Sequence, residues 1–249
     1  MKLIIGNRYF HPKLLTSVLT LIFLSLFISL GFWQLDRAEY KRNLYNDFEN
    51  RQSAVAINLD QDNNSNLEKK ELIWRHVNAK GEFLEQYQIL LDNQVYDTHA
   101  GYFVYTPFKI ANSDSYVLVN RGWLRADADR SVSPKIEMTK GMVLIKGAVK
   151  ETPKTGLLLK ELPPEKVNET TYRVQRIDLE EISALTKVNL LPYIVRLEPE
   201  SDNGYTRKWR LPGSDESMHN GYAFQWFAFA AALVIIYLLL NFKKTDEID

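Results

Sequence analysis

Three regimes of hydrophobic and polar patterning divide the chain. Residues 14–35 form a run of 22 and residues 220–242 a run of 23 without one Asp, Glu, Lys, Arg or His. About 20 apolar residues rising 1.5 Å each cover the roughly 30 Å hydrocarbon layer, so each run predicts one membrane-spanning helix. Past the first run, residues 34–50 read as a helical continuation, with Trp33, Arg37 and Lys41 stacked at i, i+4 and i+8. The middle of the chain changes period. Residues 73–83, 87–91, 101–110, 116–124 and 142–149 are rich in Val, Ile, Tyr and Phe, are bounded by turn residues, and predict strands. Residues 172–177 and 193–197 add two more strands, with a short helix over 178–186 opened by Asp178. Residues 60–65 and the Pro-rich 152–166 read as loops.

The elements define a membrane protein: two terminal transmembrane helices flank one β-rich α+β extracytoplasmic domain, a small barrel or sandwich. The expected layout is a cytoplasmic flank over 1–13, a span over 14–35, the outer domain over 36–219, a second span over 220–242 and a cytoplasmic tail over 243–249. The first run is longer than the apolar region of a cleavable signal, and no small-x-small site closely follows it, so it reads as an uncleaved anchor. Trp33 at one run and Tyr222, Trp226 and Tyr237 at the other are interfacial anchors.

Charge settles the expected orientation. The flank ahead of the first span holds Lys2, Arg8 and Lys13 with no acid. Long intervening domains translocate largely regardless of their own charge, so the basic flank places both termini inside. The zero net charge of the whole chain is a sum of unlike parts, +3 in that flank, −2 over 36–219 and −1 in the tail. A near-neutral outer domain gives no reason to expect nucleic acid as a partner; the bilayer is the expected one. Composition adds one exclusion. The chain has no cysteine and four Met, which rules out disulfides, thioether-linked haem, thiol redox chemistry and a Met-rich copper site.

Candidate chemistry rests on few residues. No nucleophile-elbow, P-loop, dinucleotide or zinc signature occurs, so the chain is not expected to be an enzyme. His11 lies in the basic flank, His76 within a strand, and His99 in an expected loop with no partner at diagnostic spacing. His219 stands immediately before the second span. On one helical face it is followed by Tyr222, Ala223, Trp226 and Ala230, an imidazole above aromatic and small side chains that suits a haem iron and a flat macrocycle. Interfacial anchoring is the simpler explanation of the same residue types. Arg37 and Lys41 are placed to meet haem propionates, or equally lipid phosphates. In Asn120-Arg121-Gly122-Trp123, the Gly between large side chains predicts a bulge or turn, with Arg121 against an aromatic face or a carboxylate and Trp123 in the core or at the membrane.

Four blocks then carry a resemblance. Gly31-Phe32-Trp33-Gln34-Leu35-Asp36-Arg37 with Lys41, Gly101-Tyr102-Phe103-Val104-Tyr105-Thr106-Pro107, Val119-Asn120-Arg121-Gly122-Trp123, and His219-Asn220-Gly221-Tyr222-Ala223-Phe224-Gln225-Trp226-Phe227 resemble, in that order, the Surfeit locus protein 1 family. The resemblance implies an assembly factor for haem-copper cytochrome c oxidase that assists delivery or insertion of haem A into the catalytic subunit, working with that subunit and other oxidase assembly factors. Carried onto this chain, it marks Gly31, Trp33, Gln34, Arg37, Arg121, Gly122, Trp123, His219, Tyr222, Gln225 and Trp226 as motif residues. It implies transient haem A binding with His219 as iron ligand and Tyr222, Trp226, Arg37 and Lys41 around it. The short flank shows no transit-peptide pattern, and the expected location is the bacterial inner membrane, with the central domain periplasmic. The competing class is a membrane-tethered sensor or ligand-binding module; a membrane-bound hydrolase or transferase lacks a catalytic set.

Overall fold

A computed structural model describes residues 3–5, 8–61, 69–129, 132, 134–154, 156 and 162–244. Most of the expected loop over 60–65, part of that over 152–166 and most of the tail lie outside them. The chain forms two compact units, Met1–Phe48 with Arg210–Asp249, and Glu49–Trp209.

In the first unit, strands β1 (Leu3–Ile5) and β2 (Arg8–Phe10) precede helix α1 (Leu14–Gln52), whose last four residues run into the second unit. Naming the later elements in chain order, the first unit is completed by α4 (Glu216–Asn241) and β12 (Phe242–Lys244). Both helices are long and apolar enough to cross a membrane, with mean hydropathies of 2.3 and 2.2 over their most apolar stretches. Only 6% and 11% of those stretches is buried, so neither is the core helix of a globular protein. What is buried follows a strict rhythm. On α1 the covered or half-covered positions include Ser17, Thr20, Leu24, Phe27, Gly31, Gln34, Ala38, Lys41, Tyr45 and Phe48, alternating steps of three and four. On α4 they include Glu216, Asn220, Ala223, Phe227, Ala230, Val234, Tyr237 and Asn241. A 3.5-residue period keeps one stripe facing a partner helix. The helices pair antiparallel along it, from Ser17 Oγ and Tyr237 Oη at 2.7 Å, through stacked Phe27 and Trp226, to Gln34 and His219. At Gly31 the two helices pass close together: a Cβ there would sit 2.6 Å from the Phe227 ring. Small residues at such crossings let van der Waals packing stand in for the hydrophobic drive that lipid removes. At the Ser17 end, β2 pairs antiparallel with both β1 and β12, so the two termini meet at one end of the helix pair.

The second unit holds β3 (Ile57–Asn58), α2 (Lys69–Leu72), β4 (His76–Phe83), β5 (Gln88–Tyr96), β6 (His99–Ile110), β7 (Tyr116–Arg125), β8 (Val143–Lys150), β9 (Glu165–Lys166), β10 (Thr171–Val174), α3 (Leu179–Thr186) and β11 (Leu190–Leu197). Strands β4, β8, β11, β7 and β6 are neighbours in that order, and β4 also pairs with β6, closing a five-strand barrel. The sandwich alternative is therefore excluded. Alternating positions fill the interior: Val77, Ala79 and Phe83 from β4, Ile145 and Val149 from β8, Tyr193, Val195 and Leu197 from β11, Val117 and Val119 from β7, Phe108 and Ile110 from β6. A second cluster, with Ile89, Leu91, Tyr105, Leu118 and Ile194, packs Ile182 of α3 on the outer face. That double cover is why β7 reads as a continuous apolar run. Asp178 caps α3, accepting from the backbone N–H of Glu180 and Glu181.

Two local expectations need correction. Asp92-Asn93 does not end β5; the register shifts there, Asn93 has φ 58°, and the strand continues to Tyr96. The hairpin turn is Asp97-Thr98, both at positive φ, which closes the Tyr96–His99 pair as a primed turn must. His99 thus opens β6 rather than lying in a loop. The bulge expected at Gly122 is present: Val104 faces Gly122 and Tyr105 faces Asn120, leaving Arg121 as the extra residue, with Gly122 at φ 113°.

Candidate functional site: a histidine between two apolar helices

The helix pair carries its Lys41–Asp215 and Arg42–Glu216 ion pairs at one end. α4 starts at Asp215, the N-cap position, where an Asp side chain usually accepts from the first turn. Here it makes no cap bond. Its Oδ2 lies 2.9 Å from Lys41 Nζ instead, and that contact holds the Asp215 carboxyl below the usual range. The approach depends on Gly213 (φ 73°), where a Cβ would collide with the Lys41 carbonyl. One residue on, Glu216 Oε1 accepts from Arg42 Nε at 2.9 Å and Nη2 at 2.7 Å.

Four residues into α4, His219 turns into the seam. Its Nδ1 is 2.8 Å from Gln34 Oε1. Its Nε2 makes no hydrogen bond and lies 3.7 Å from Asp215 Oδ2, with 18% of the side chain open. Gln34 itself is buried. The imidazole is bonded through Nδ1, with Nε2 facing Asp215 only at 3.7 Å and the ring partly open, a disposition that would suit an iron ligand. No group of three or more metal-ligating side chains occurs among the described residues.

The structure divides the other expected site residues. Lys41 stands with His219 through Asp215, committed to that carboxylate. Trp226 lies deeper in the seam, against Phe27 at 5.8 Å and Phe229 at 5.9 Å. Tyr222, three residues on from His219, is exposed, because the 3.5-residue stripe runs through Ala223 and leaves position 222 outside. Arg37 and Trp33 are exposed for the same reason, Arg37 lying over the Tyr40 ring at 5.5 Å. Gln225 is exposed as well. Gln34, which the resemblance marks as a motif residue, also stands out physically as a buried polar side chain within an apolar span. Asp215 carried no such signal.

In the barrel unit, Arg121 is almost wholly buried. It donates from Nε to Asn203 O at 2.8 Å and from Nη2 to Glu137 O at 3.1 Å and Thr139 Oγ1 at 3.2 Å. Its guanidinium lies over Phe83 and Tyr205, with Nη1 3.7 Å from Glu85. Both expected alternatives for Arg121, aromatic face and carboxylate, are realised. Trp123 is buried, its Nε1 donating to Gln94 O. His76 pairs with Glu198 at 2.6 Å, and exposed His99 contacts Asp97 O.

Two membrane-length helices joined through a histidine, together with a closed five-strand barrel, define a small class of membrane-anchored barrel proteins. The SURF1 family model matches residues 21–231. The chain belongs to that family. A SURF1-like protein of Rickettsia felis is 26% identical over 230 residues, covering 90% of this chain and 96% of the relative. One from Rickettsia bellii is 29% identical over 232 residues, covering 89% of each. Surfeit locus protein 1 of Mus musculus is 29% identical over 175 residues, 63% of this chain and 53% of the mouse protein.

Proposed function

We propose that this chain is a non-enzymatic assembly factor for haem-copper cytochrome c oxidase, and that it receives or hands on haem A through His219. Family membership supports the oxidase role. The observation that carries the haem role is His219 itself, engaged by Gln34 through Nδ1 with Nε2 uncommitted at the polar end of the helix pair. His219 would hold haem A through an imidazole nitrogen, the group supplying an iron that such a nitrogen could ligate.

The chain's own residues do the rest. Gln34 fixes the ring, Lys41 and Asp215 tie α1 to the start of α4, and the stack of Phe27, Trp226 and Phe229 offers an apolar wall below. Lys41 is paired with Asp215, so Arg37, exposed one turn earlier on α1, would be the cation left to meet a propionate. Tyr222 and Trp33 are left to the bilayer or to the oxidase subunit. The proposed setting is the bacterial inner membrane, termini cytoplasmic and barrel periplasmic. Rickettsial relatives and the purely basic flank support it.

Deletion of the gene in its host tests the role. The expected result is loss of oxidase activity and of haem A in the isolated oxidase while total cellular haem A persists, with His219→Ala failing to restore either. An oxidase with unchanged haem A content after deletion contradicts the proposal.

A further inference from the structure

We propose that Gln34 is a positioning residue for His219, holding the imidazole proton on Nδ1 so that Nε2 is the nitrogen presented to an iron; this rests on the ligand reading above. Burying an amide within an apolar span is unfavourable unless it is bonded, and a Leu there would satisfy the 3.5-residue seam as well. Gln34 is nevertheless buried, and it points Oε1, which can only accept, at Nδ1 2.8 Å away. An acceptor at that distance requires the proton on Nδ1.

The opposite face of the ring is arranged to agree. Free imidazole side chains prefer the proton on Nε2, and a carboxylate close to Nε2 would reinforce that preference. The nearest carboxylate oxygen, Asp215 Oδ2, stays 3.7 Å away and is taken by Lys41 Nζ at 2.9 Å. Asp215 gives up its helix-capping bond in doing so. Lys41 thereby keeps Asp215 from claiming Nε2, and Gln34 keeps the proton on the other nitrogen. Outer partners of this kind set the tautomer and orientation of ligating histidines and change affinity about 10–100-fold when removed.

The test uses the full chain in lipid nanodiscs. Nitrogen-15 spectra of the haem-free protein report the His219 tautomer, assigned by comparison with His219→Ala. The expected wild type carries its proton on Nδ1, Gln34→Glu preserves that state, and Gln34→Leu moves the proton to Nε2. Titration with ferric protohaem is the second readout. Gln34→Leu binds about tenfold or more weakly than wild type, while Gln34→Glu keeps the affinity and lowers the midpoint potential, because a carboxylate lends the ring imidazolate character. Wild-type His219 protonated on Nε2 overturns the proposal whatever the variants do. So does a Gln34→Leu protein that matches wild type in affinity and electron paramagnetic resonance while His219→Ala loses haem. If wild type and His219→Ala take up protohaem equally, the ligand reading fails, and the tautomer spectra alone decide the role of Gln34.

Discussion

Replacing Arg121 with Met probes how the barrel unit is held shut. The guanidinium makes three hydrogen bonds, to Asn203 O, Glu137 O and Thr139 Oγ1, and so ties the stretches around 137–139 and 203–205 to the β7 bulge. It also faces Glu85, whose side chain is only 14% exposed. Met fills much of the volume but donates nothing, leaving three acceptors and a half-buried carboxylate. Glu85 keeps two neutral donors, Thr139 N at 2.8 Å and Gln88 Nε2 at 2.9 Å, which lessen the loss. Removing one partner of a buried pair costs about 3–5 kcal/mol, and the residual donors place this case near the lower end. For a unit of this size, that loss lowers Tm by roughly 6–20 °C. Urea and thermal unfolding of the detergent-solubilised chain, followed by tryptophan fluorescence, measures it. Adding Glu85→Gln to Arg121→Met recovers part of the loss, because the uncompensated charge disappears. Arg121→Met within about 1 kcal/mol of wild type, or no recovery in the double variant, would refute the reasoning.

The remaining predictions are smaller. Gly31→Val forces two methyl groups towards Phe227 and separates the helices; nitroxides on cysteines introduced at the exposed positions Ile28 and Ile235 report a broadened distance distribution, and the Cys-free background makes the labelling clean. Asp178→Ala removes the α3 cap and destabilises the barrel unit by about 0.5–2 kcal/mol in urea unfolding. Burial lowers the Lys150 pKa to about 6, with the nearby Arg196 charge adding to the shift. Between that value and the unfolded lysine pKa near 10.5 the unfolded chain binds the extra proton. Stability from this group is therefore fully present above the unfolded pKa, falls as pH drops towards 6, and levels off below it. Lys150→Met flattens the rise in unfolding free energy measured from pH 6 to 10.

Sequence patterning exposed what is local. Charge-free runs give the two helices because length and apolarity alone decide them, and Val-, Ile-, Tyr- and Phe-rich runs bounded by turn residues give β4, β6, β7, β8 and β11. Closure of the barrel was not legible, since the β4–β6 pairing joins strands with no shared local signal. Asp92-Asn93 looked like a turn because its residues favour one, yet a bulge satisfies the same backbone preference and lets β5 continue to Tyr96. At the helix pair, phase separates residues of similar chemistry. Tyr222 and Arg37 lie off the 3.5-residue stripe and are exposed, whereas Gln34 lies on it and meets His219, 185 residues away, inside the seam. Asp215 became visible only once Lys41 was seen to hold it.

The central claim, a haem carried on His219, is tested most directly by the visible spectrum of the protein purified from cells that also express a haem A synthesis pathway. Wild type should carry a haem A spectrum with a single imidazole signature, and His219→Ala should carry none. Equal haem in the two proteins, or none in either, contradicts the account.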